Sequence, residues 1–310
     1  MSVSAAGPAA TRANSHGDGP GAEVSAGAAG ARGAELNRRL VEDGYCHVPG
    51  VVPGDLVERM RTIADAAADG LSAEERERYP FAGSMIQVKR HEEMLPLIVL
   101  PAARAVLAGM GYPGARFYSG FIISKPPQVA PPLYWHQDGI LWDEPSSYTD
   151  EPVQVFLMYY LVDTSRDNGC LRVIPGSHRR RHRLHALPPA HGDALNAAGE
   201  NHPSLQPDPD EVDVPVRAGD LVIGDARLLH SAHPNRSPHR RTVITLWFLP
   251  TFPDLPEHLR AFYGKSNAGL TAASVGWSES GWSELCDVLA RYDGPLDPPE
   301  PSRSPDQRLT

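Results

Sequence analysis

The feature that most constrains the fold of this 310-residue sequence is a series of short β-rich runs that begins near residue 115. Turn-forming residues separate these runs, of which the clearest are RFYSGFIIS, VQVFLMYYLV, CLRVIP, VDVPV, LVIGD and RTVITLWFL. Many short strands with turns between them are typical of an antiparallel sandwich or barrel. No GxGxxG or P-loop pattern follows a run, which disfavours a nucleotide-binding fold. We therefore predict a mainly β protein with flanking helices and a core over about residues 115–250.

The flanking helices are predicted from apolar spacing and from capping residues. A short helix over 35–43 would end at Gly44, and a second one follows over about 53–70. A third helical stretch, over 92–110, contains two prolines, and a last helix is predicted to begin at Ser283.

These elements predict a single domain over residues 34–293. Residues 1–33 are rich in Ala, Gly and Pro and are predicted to be a disordered tail, as is the Pro-rich stretch 294–310. The polar stretch 179–212 is predicted to be a lid or insertion, because a loop of this length in a compact domain is usually functional or disordered.

Composition limits the partners and the compartment. The net charge of −9 argues against a general nucleic-acid binder, and no apolar run is long enough to span a bilayer. The first residues lack the apolar core of a secretory signal. The three cysteines form no CxxC pair, so free thiols are expected rather than disulfides or a thiolate zinc site. We expect a cytoplasmic protein, monomer or homodimer, that acts on a small molecule.

A His-x-Asp pattern occurs three times, at His16, His136 and His191. The first lies in the Gly-rich tail and the third in the polar insertion. The pair His136 and Asp138 alone stands at the edge of a β segment, where residues i and i+2 project from the same face. An imidazole and a carboxylate side by side, joined by a second histidine, suit non-haem Fe(II) and leave coordination sites open.

The third ligand should come from another strand, and His230 and His233 are the candidates. We choose His230, because it ends an apolar run and would be held more rigidly than a residue in the following turn. Arg241 begins the next run. Beside a metal site, a buried arginine is costly unless it meets an anion, for which its guanidinium offers a bidentate fork. The alternative for Arg241 is an exposed basic strand edge.

Three motifs in order, WHQDG, DTSRDNGCLRVIPGSH and GDARLLHSAHPNRSPHRRTVIT, resemble those of the phytanoyl-CoA dioxygenase family. The resemblance covers about residues 35–265. It implies a double-stranded β-helix (a cupin-like jelly roll) and an oxygenase that uses Fe(II), 2-oxoglutarate and O2. It also implies which residues carry those roles: iron ligands at His136, Asp138 and His230, and an arginine for the distal carboxylate of 2-oxoglutarate at Arg241.

The resemblance further implies a cosubstrate pocket. Phe121 and Met158 correspond to positions that line it, and Gln87 is a further polar candidate. Where family members often carry Ser or Gly, this chain has Ala232, so we expect another group, Thr245, to supply the missing hydroxyl. In halogenating relatives Gly or Ala replaces the carboxylate, so the presence of Asp138 implies hydroxylation instead.

The expected reaction is hydroxylation of an unactivated C–H bond, with release of succinate and CO2. Desaturation, cyclisation or epimerisation are alternative outcomes, and bacterial specialised-metabolite (antibiotic) biosynthesis is the expected context. The basic run HRRRHRLH, at 178–185, keeps an acyl-CoA substrate open, and acidic residues at 143–151 could meet a substrate amine. The alternatives from other classes are a non-catalytic metal-binding jelly-roll sensor and a zinc-dependent hydrolase.

Overall fold

A computed structural model describes residues 20–128, 130–188, 195, 197–199 and 201–310, with the backbone alone described for 20–29. Its strands are β1 (Tyr45–Val48), β2 (Ile86–Gln87), β3 (Arg116–Lys125), β4 (Leu133–His136), β5 (Val155–Tyr160), β6 (Leu171–Val173), β7 (Val212–Val214), β8 (Leu221–Asp225), β9 (His230–Ala232) and β10 (Arg241–Leu249).

The strands form two sheets in which every pair is antiparallel. The major sheet has the order β1-β8-β5-β10-β3-β2, and the minor sheet has the order β4-β9-β6-β7. Neighbours in each sheet are distant in sequence, as in a jelly roll. The predicted mainly β class with flanking helices, and its double-stranded β-helix core, are confirmed.

Strand β5 explains how the major sheet is buried on both faces. Its residues alternate between two clusters: Val155, Leu157 and Tyr159 pack into the large core under the helices. Phe156 and Met158, with Tyr160, pack into a smaller cluster with residues of the minor sheet. A period of two with apolar residues on both faces is what a strand between a helical layer and a second sheet requires.

Helices, most of them packed on the outer face of the major sheet, flank the strands. They are α1 (Pro20–Asp43), α2 (Gly54–Asp69), α3 (Ala73–Glu77), α4 (Leu95–Ile98), α5 (Pro101–Gly109), α6 (Glu257–Ala268), α7 (Ala272–Val275) and α8 (Glu279–Val288). Short 3-10 turns lie at Val88–Arg90, Glu92–Met94, Pro145–Tyr148, Arg183–Ala186, Pro203–Leu205 and Phe252–Asp254. No helix in the described ranges is long and apolar enough to cross a membrane.

The structure differs from the predicted tails at both ends. Helix α1 begins at Pro20, within the stretch predicted to be disordered, while residues 1–19 lie outside the described residues. At the other end, residues 302–309 pack on the loop that follows β4: the amide of Ser302 donates to the carbonyl of Ile140, and the amide of Trp142 donates to the carbonyl of Ser302. The last helix begins after Ser278 rather than Ser283.

Candidate metal centre

Two strands of the minor sheet and one loop bring three metal-ligating side chains together. His136 ends β4 and His230 begins β9, and the two residues are direct partners in the antiparallel register. Asp138 follows two residues after His136, and its carboxylate oxygens lie 3.7 Å from His136 Nε2 and 3.8 Å from His230 Nε2. One ligand atom from each residue lies within 4.8 Å of the others, close enough to share a metal ion.

The hydrogen bonds of both histidines fit a metal site. Nδ1 of His136 lies 3.0 Å from the carbonyl of Tyr134, and Nδ1 of His230 lies 3.0 Å from the carbonyl of Leu228. A carbonyl only accepts, so each Nδ1 carries the proton and each Nε2 presents a lone pair to the centre. Two neutral imidazoles and one carboxylate are a donor set for a divalent transition metal.

Asp138 is held from two sides. Its backbone amide and that of Gly139 donate to the carbonyl of Ala226, at 2.8 Å and 2.7 Å. Its Oδ2 accepts a hydrogen bond of 2.8 Å from the indole Nε1 of Trp247, which lies on β10 of the opposite sheet. The loop after β4 is thereby fixed between the two sheets.

A cavity opens beside the three side chains. Apart from those three residues and Arg241, its lining is uncharged and largely apolar, and consists of Ala82, Met85, Ile123, Leu133, Met158, Tyr160, Gly169, Leu171, Ser231, Ala232, Val243, Thr245 and Trp247. Four alternate residues of β10, from Arg241 to Trp247, line one wall, because side chains two apart share a face of a strand.

Arg241 is 4% exposed, and its Nε has no hydrogen-bond partner among the described residues. Within the same residues no carboxylate pairs with it, and burial lowers the pKa of the guanidinium. A buried, unpaired guanidinium is costly, so the site is electrostatically complementary to an anion in the cavity. The hydroxyl of Thr245 is likewise buried without a partner.

The other predicted cosubstrate residues divide into two groups. Met158 and Thr245 line the cavity. Phe121 does not: it packs edge-on against Trp247, with ring centroids 5.7 Å apart. Gln87 is exposed on β2, where it pairs with Phe121 across the sheet. Both residues stand in one register row with Thr245, on the face of the sheet that bears the cavity, but they lie nearer the sheet edge than the residues that line it.

His233, the other candidate for the third metal ligand, has a different partner. His233 Nε2 lies 2.6 Å from Asp213 Oδ1, and these two with Cys170 form a separate group beyond the centre. The other two His-x-Asp pairs, which begin at His16 and His191, both lie outside the described residues.

One residue beside Arg241 was missed by sequence reasoning. Lys125 is wholly buried at the end of β3, opposite Arg241 in the register. Its Nζ donates to the carbonyls of Phe81 and Pro131, and burial together with the charge of Arg241 lowers its pKa well below the usual value. In the sequence, Lys125 precedes two prolines and carries only the signal of a turn.

A double-stranded β-helix with a two-histidine, one-carboxylate centre defines the class of protein that includes the non-haem iron oxygenases. Within that class, the family model for phytanoyl-CoA dioxygenase (PhyH) matches residues 40–243, so the chain belongs to this family.

Comparisons with individual proteins agree with this assignment. The chain is 30% identical over 151 residues to phytanoyl-CoA dioxygenase 1 of Oryza sativa subsp. japonica, covering 47% of this chain and 49% of that protein. It thus spans about half the length of that curated relative.

Among solved structures, the non-heme alpha ketoglutarate dependent carbocyclase SnoK from nogalamycin biosynthesis superposes with a TM-score of 0.50 at 25% identity, covering 69% of this chain and 83% of SnoK. The epimerase SnoN, solved with Fe3+, alpha ketoglutarate and nogalamycin RO, superposes with a TM-score of 0.52 at 20% identity, covering 90% and 98%. The likeness to SnoN shows the shared fold.

Proposed function

We propose that this chain is an Fe(II)- and 2-oxoglutarate-dependent dioxygenase that hydroxylates an unactivated C–H bond of a small molecule. One observation carries the proposal: a single cavity contains both a two-histidine, one-carboxylate group and a buried guanidinium without a carboxylate partner. A zinc-dependent hydrolase would need the first feature but not the second.

His136, Asp138 and His230 would hold the metal, and three protein ligands leave coordination sites for cosubstrate and O2. When bound, Fe(II) would allow O2 to oxidise a C–H bond of the substrate, while 2-oxoglutarate is converted into succinate and CO2. The chain's own part is to hold these groups in place, to admit the substrate carbon and to exclude water.

Arg241 would bind the distal carboxylate of 2-oxoglutarate. Its two terminal nitrogens suit the two carboxylate oxygens, and the ion pair would offset the cost of burying the guanidinium. Thr245, two places along the same face of β10, would add a hydroxyl donor. This hydroxyl would replace the one that family members often supply from a serine at the position of Ala232.

The cavity lining favours an uncharged, apolar substrate over an acyl-CoA. The basic run at 178–185 does not line the cavity, and its arginines contact protein groups. Arg179 pairs with Asp150 at 2.8 Å, Arg183 pairs with Asp208, and Arg180 and Arg181 donate to backbone carbonyls. These cations are therefore already engaged, which argues against a role in binding the phosphates of coenzyme A.

Three of the four acidic residues at 143–151 are engaged in the same way. Glu144 lies 2.9 Å from His258, Asp150 pairs with Arg179, and Glu151 accepts from the hydroxyl of Tyr112 at 3.1 Å. This disfavours the expectation that they bind a substrate amine. The nogalamycin pathway in which SnoK acts supports a role in specialised-metabolite biosynthesis for this chain as well.

The decisive experiment is anaerobic reconstitution with Fe(II) and 2-oxoglutarate. We expect the wild type to show the visible charge-transfer absorption of 2-oxoglutarate chelated to iron. His136→Ala should lose this absorption, and Arg241→Met should develop it only at much higher concentrations of 2-oxoglutarate. His239→Ala, which changes an exposed histidine outside the cavity, is the matched control.

A screen of apolar small molecules then follows succinate formation, with product analysis to distinguish hydroxylation from desaturation, cyclisation or epimerisation. Binding of Fe(II) without any effect of 2-oxoglutarate would instead support a metal-binding sensor and overturn the proposal.

A further inference from the structure

Resting on the proposed function, we propose that Trp247 is a positioning residue for the metal centre, whose indole N–H sets the orientation of the Asp138 carboxylate. The bond from Nε1 of Trp247 to Oδ2 of Asp138 is 2.8 Å long. It is the one side-chain hydrogen bond made to this carboxylate in the part of the chain that the structure describes.

Among the described residues, no other side chain donates a hydrogen bond to this carboxylate. The nearest ring nitrogens, Nε2 of His136 and Nε2 of His230, lie 3.7 Å and 3.8 Å away, beyond hydrogen-bond distance. Both are the atoms that would bind the metal. Without the indole, the carboxylate of Asp138 would therefore be free to rotate about its last torsion angle, which is a soft one.

The indole itself is held firmly. Trp247 lies on β10, which pairs with β3 on one side and β5 on the other, opposite Ser119 and Phe156. The ring of Phe121 meets the indole edge-on, at an interplanar angle of 78°. Phe121, which does not line the cavity, therefore has a role in holding the indole of Trp247 in place.

The consequence concerns coordination. An indole N–H that occupies one carboxylate oxygen weakens that oxygen as a metal ligand and favours coordination through a single oxygen. Coordination through one oxygen leaves a further position open for cosubstrate or O2. Removal of a residue that orients a metal ligand typically weakens metal binding about 10–100-fold. We expect a loss of metal affinity of that size when the indole donor is removed.

The test is Trp247→Phe, which keeps a ring packed on Phe121 but removes the donor. Co(II) affinity is measured by calorimetry and the Co(II) absorption bands are recorded, so that the readout does not depend on turnover. Trp277→Phe is the matched control, because the indole of Trp277 donates to the carbonyl of Lys89 at 2.8 Å, outside the centre.

We expect Trp247→Phe to bind Co(II) about 10–100-fold more weakly and with altered bands, and Trp277→Phe to bind it as the wild type does. Equal affinity and bands in all three proteins would overturn the positioning role but leave the proposed oxygenase intact. Conversely, loss of Co(II) binding is expected in Asp138→Ala whatever the role of Trp247.

A second measurement needs no substitution at Trp247. Wild-type protein labelled with 15N at its five indoles is titrated with Zn(II), and the signals are assigned by elimination with the other tryptophan variants. We expect the Trp247 signal to move as Asp138 binds the metal, while that of Trp277 stays in place. An unmoved Trp247 signal at saturating Zn(II) contradicts the proposal even if Trp247→Phe fails to fold.

Discussion

Gly169 shows how tightly the chain packs around Arg241. Its φ is +90°, and a Cβ at this position would lie 2.9 Å from the carbonyl of His233 and 3.4 Å from Nε of Arg241. Glycine is therefore required both by the backbone conformation and by the carbonyl of His233 beside it. The residue belongs to the Asn-Gly-Cys motif that precedes β6.

We expect Gly169→Ala to weaken 2-oxoglutarate binding about tenfold, because relief of the clash with the carbonyl of His233 would shift this segment against the guanidinium of Arg241. The measurement is an anaerobic titration followed by the charge-transfer absorption. Gly276→Ala is the control: Gly276 has a φ of +76° but nothing within 4 Å of its Cβ position. Both variants should lose about 1 kcal/mol of stability or more. Equal 2-oxoglutarate affinity in the two would refute the expectation.

At the residue scale, the sequence predicted groups whose spacing carries the information. His136 stands in a predicted β segment with Asp138 two residues on, and His230 and Arg241 each end or begin an apolar run, so the pattern predicts all four. The strand in fact ends at His136, and Asp138 lies on the loop that follows. The link between Trp247 and Asp138 could not be predicted, since the hydrogen bond joins residues of the two sheets that are 109 positions apart in the sequence. Lys125 could not be found, because its partners are backbone carbonyls.

At the scale of elements, the 302–309 segment is the main departure from expectation. Arg308 lies over the ring of Tyr148, 4.2 Å from its centroid, and donates to the carbonyls of Trp142 and Asp143. The side-chain amide of Gln137 donates to the carbonyl of Arg303 at 3.2 Å. The segment thus braces the loop that carries Asp138.

Deletion of residues 301–310 should lower both the melting temperature and the Co(II) affinity, because the Asp138 loop loses these backbone bonds. Arg308→Ala should reproduce part of the effect, since it removes a cation–π contact worth about 0.5–1 kcal/mol at an exposed site. Calorimetry measures both quantities. Arg303→Ala, which keeps the backbone contact, should change neither, and an unaltered deletion protein would show that the brace is dispensable.

Most of the strands were predictable because apolar, β-rich runs bounded by turn residues are a local signal, whereas the ends of the chain were not. Proline-rich composition indicates weak intrinsic structure, and it does not reveal that backbone groups near Ser302 find partners in the Asp138 loop. The last helix illustrates the same limit on a smaller scale: both Ser278 and Ser283 are good caps, and the side chain of Ser278 accepts from the amide of Gly281.

For the whole molecule, buried His185 makes stability depend on pH. Burial lowers its pKa from 6.5 to about 4, and its Nδ1 accepts from the backbone amide of His182. Between those two values the unfolded chain takes up a proton at this ring that the folded chain does not. The free energy of unfolding therefore falls as the pH decreases from 6.5 toward 4, and the contribution is complete above 6.5.

We expect a loss of about 2 kcal/mol from this residue between about pH 7 and pH 5, measured by urea denaturation. His185→Phe should show a correspondingly smaller pH dependence, and His239→Phe, at an exposed position, should behave as the wild type does. A His185→Phe protein with the full pH dependence would assign the effect to other groups.

The order of the major sheet bears on how the chain is made. Strand β10 lies between β3 and β5, and β3 has no other strand neighbour except the two-residue β2. During synthesis β3 leaves the ribosome more than a hundred residues before β10 is complete, and meanwhile exposes a long unpaired edge. Over this interval the edge of β3 would be open to pairing with other chains, and Arg241 and Trp247, both on β10, complete the centre only when the sheet closes.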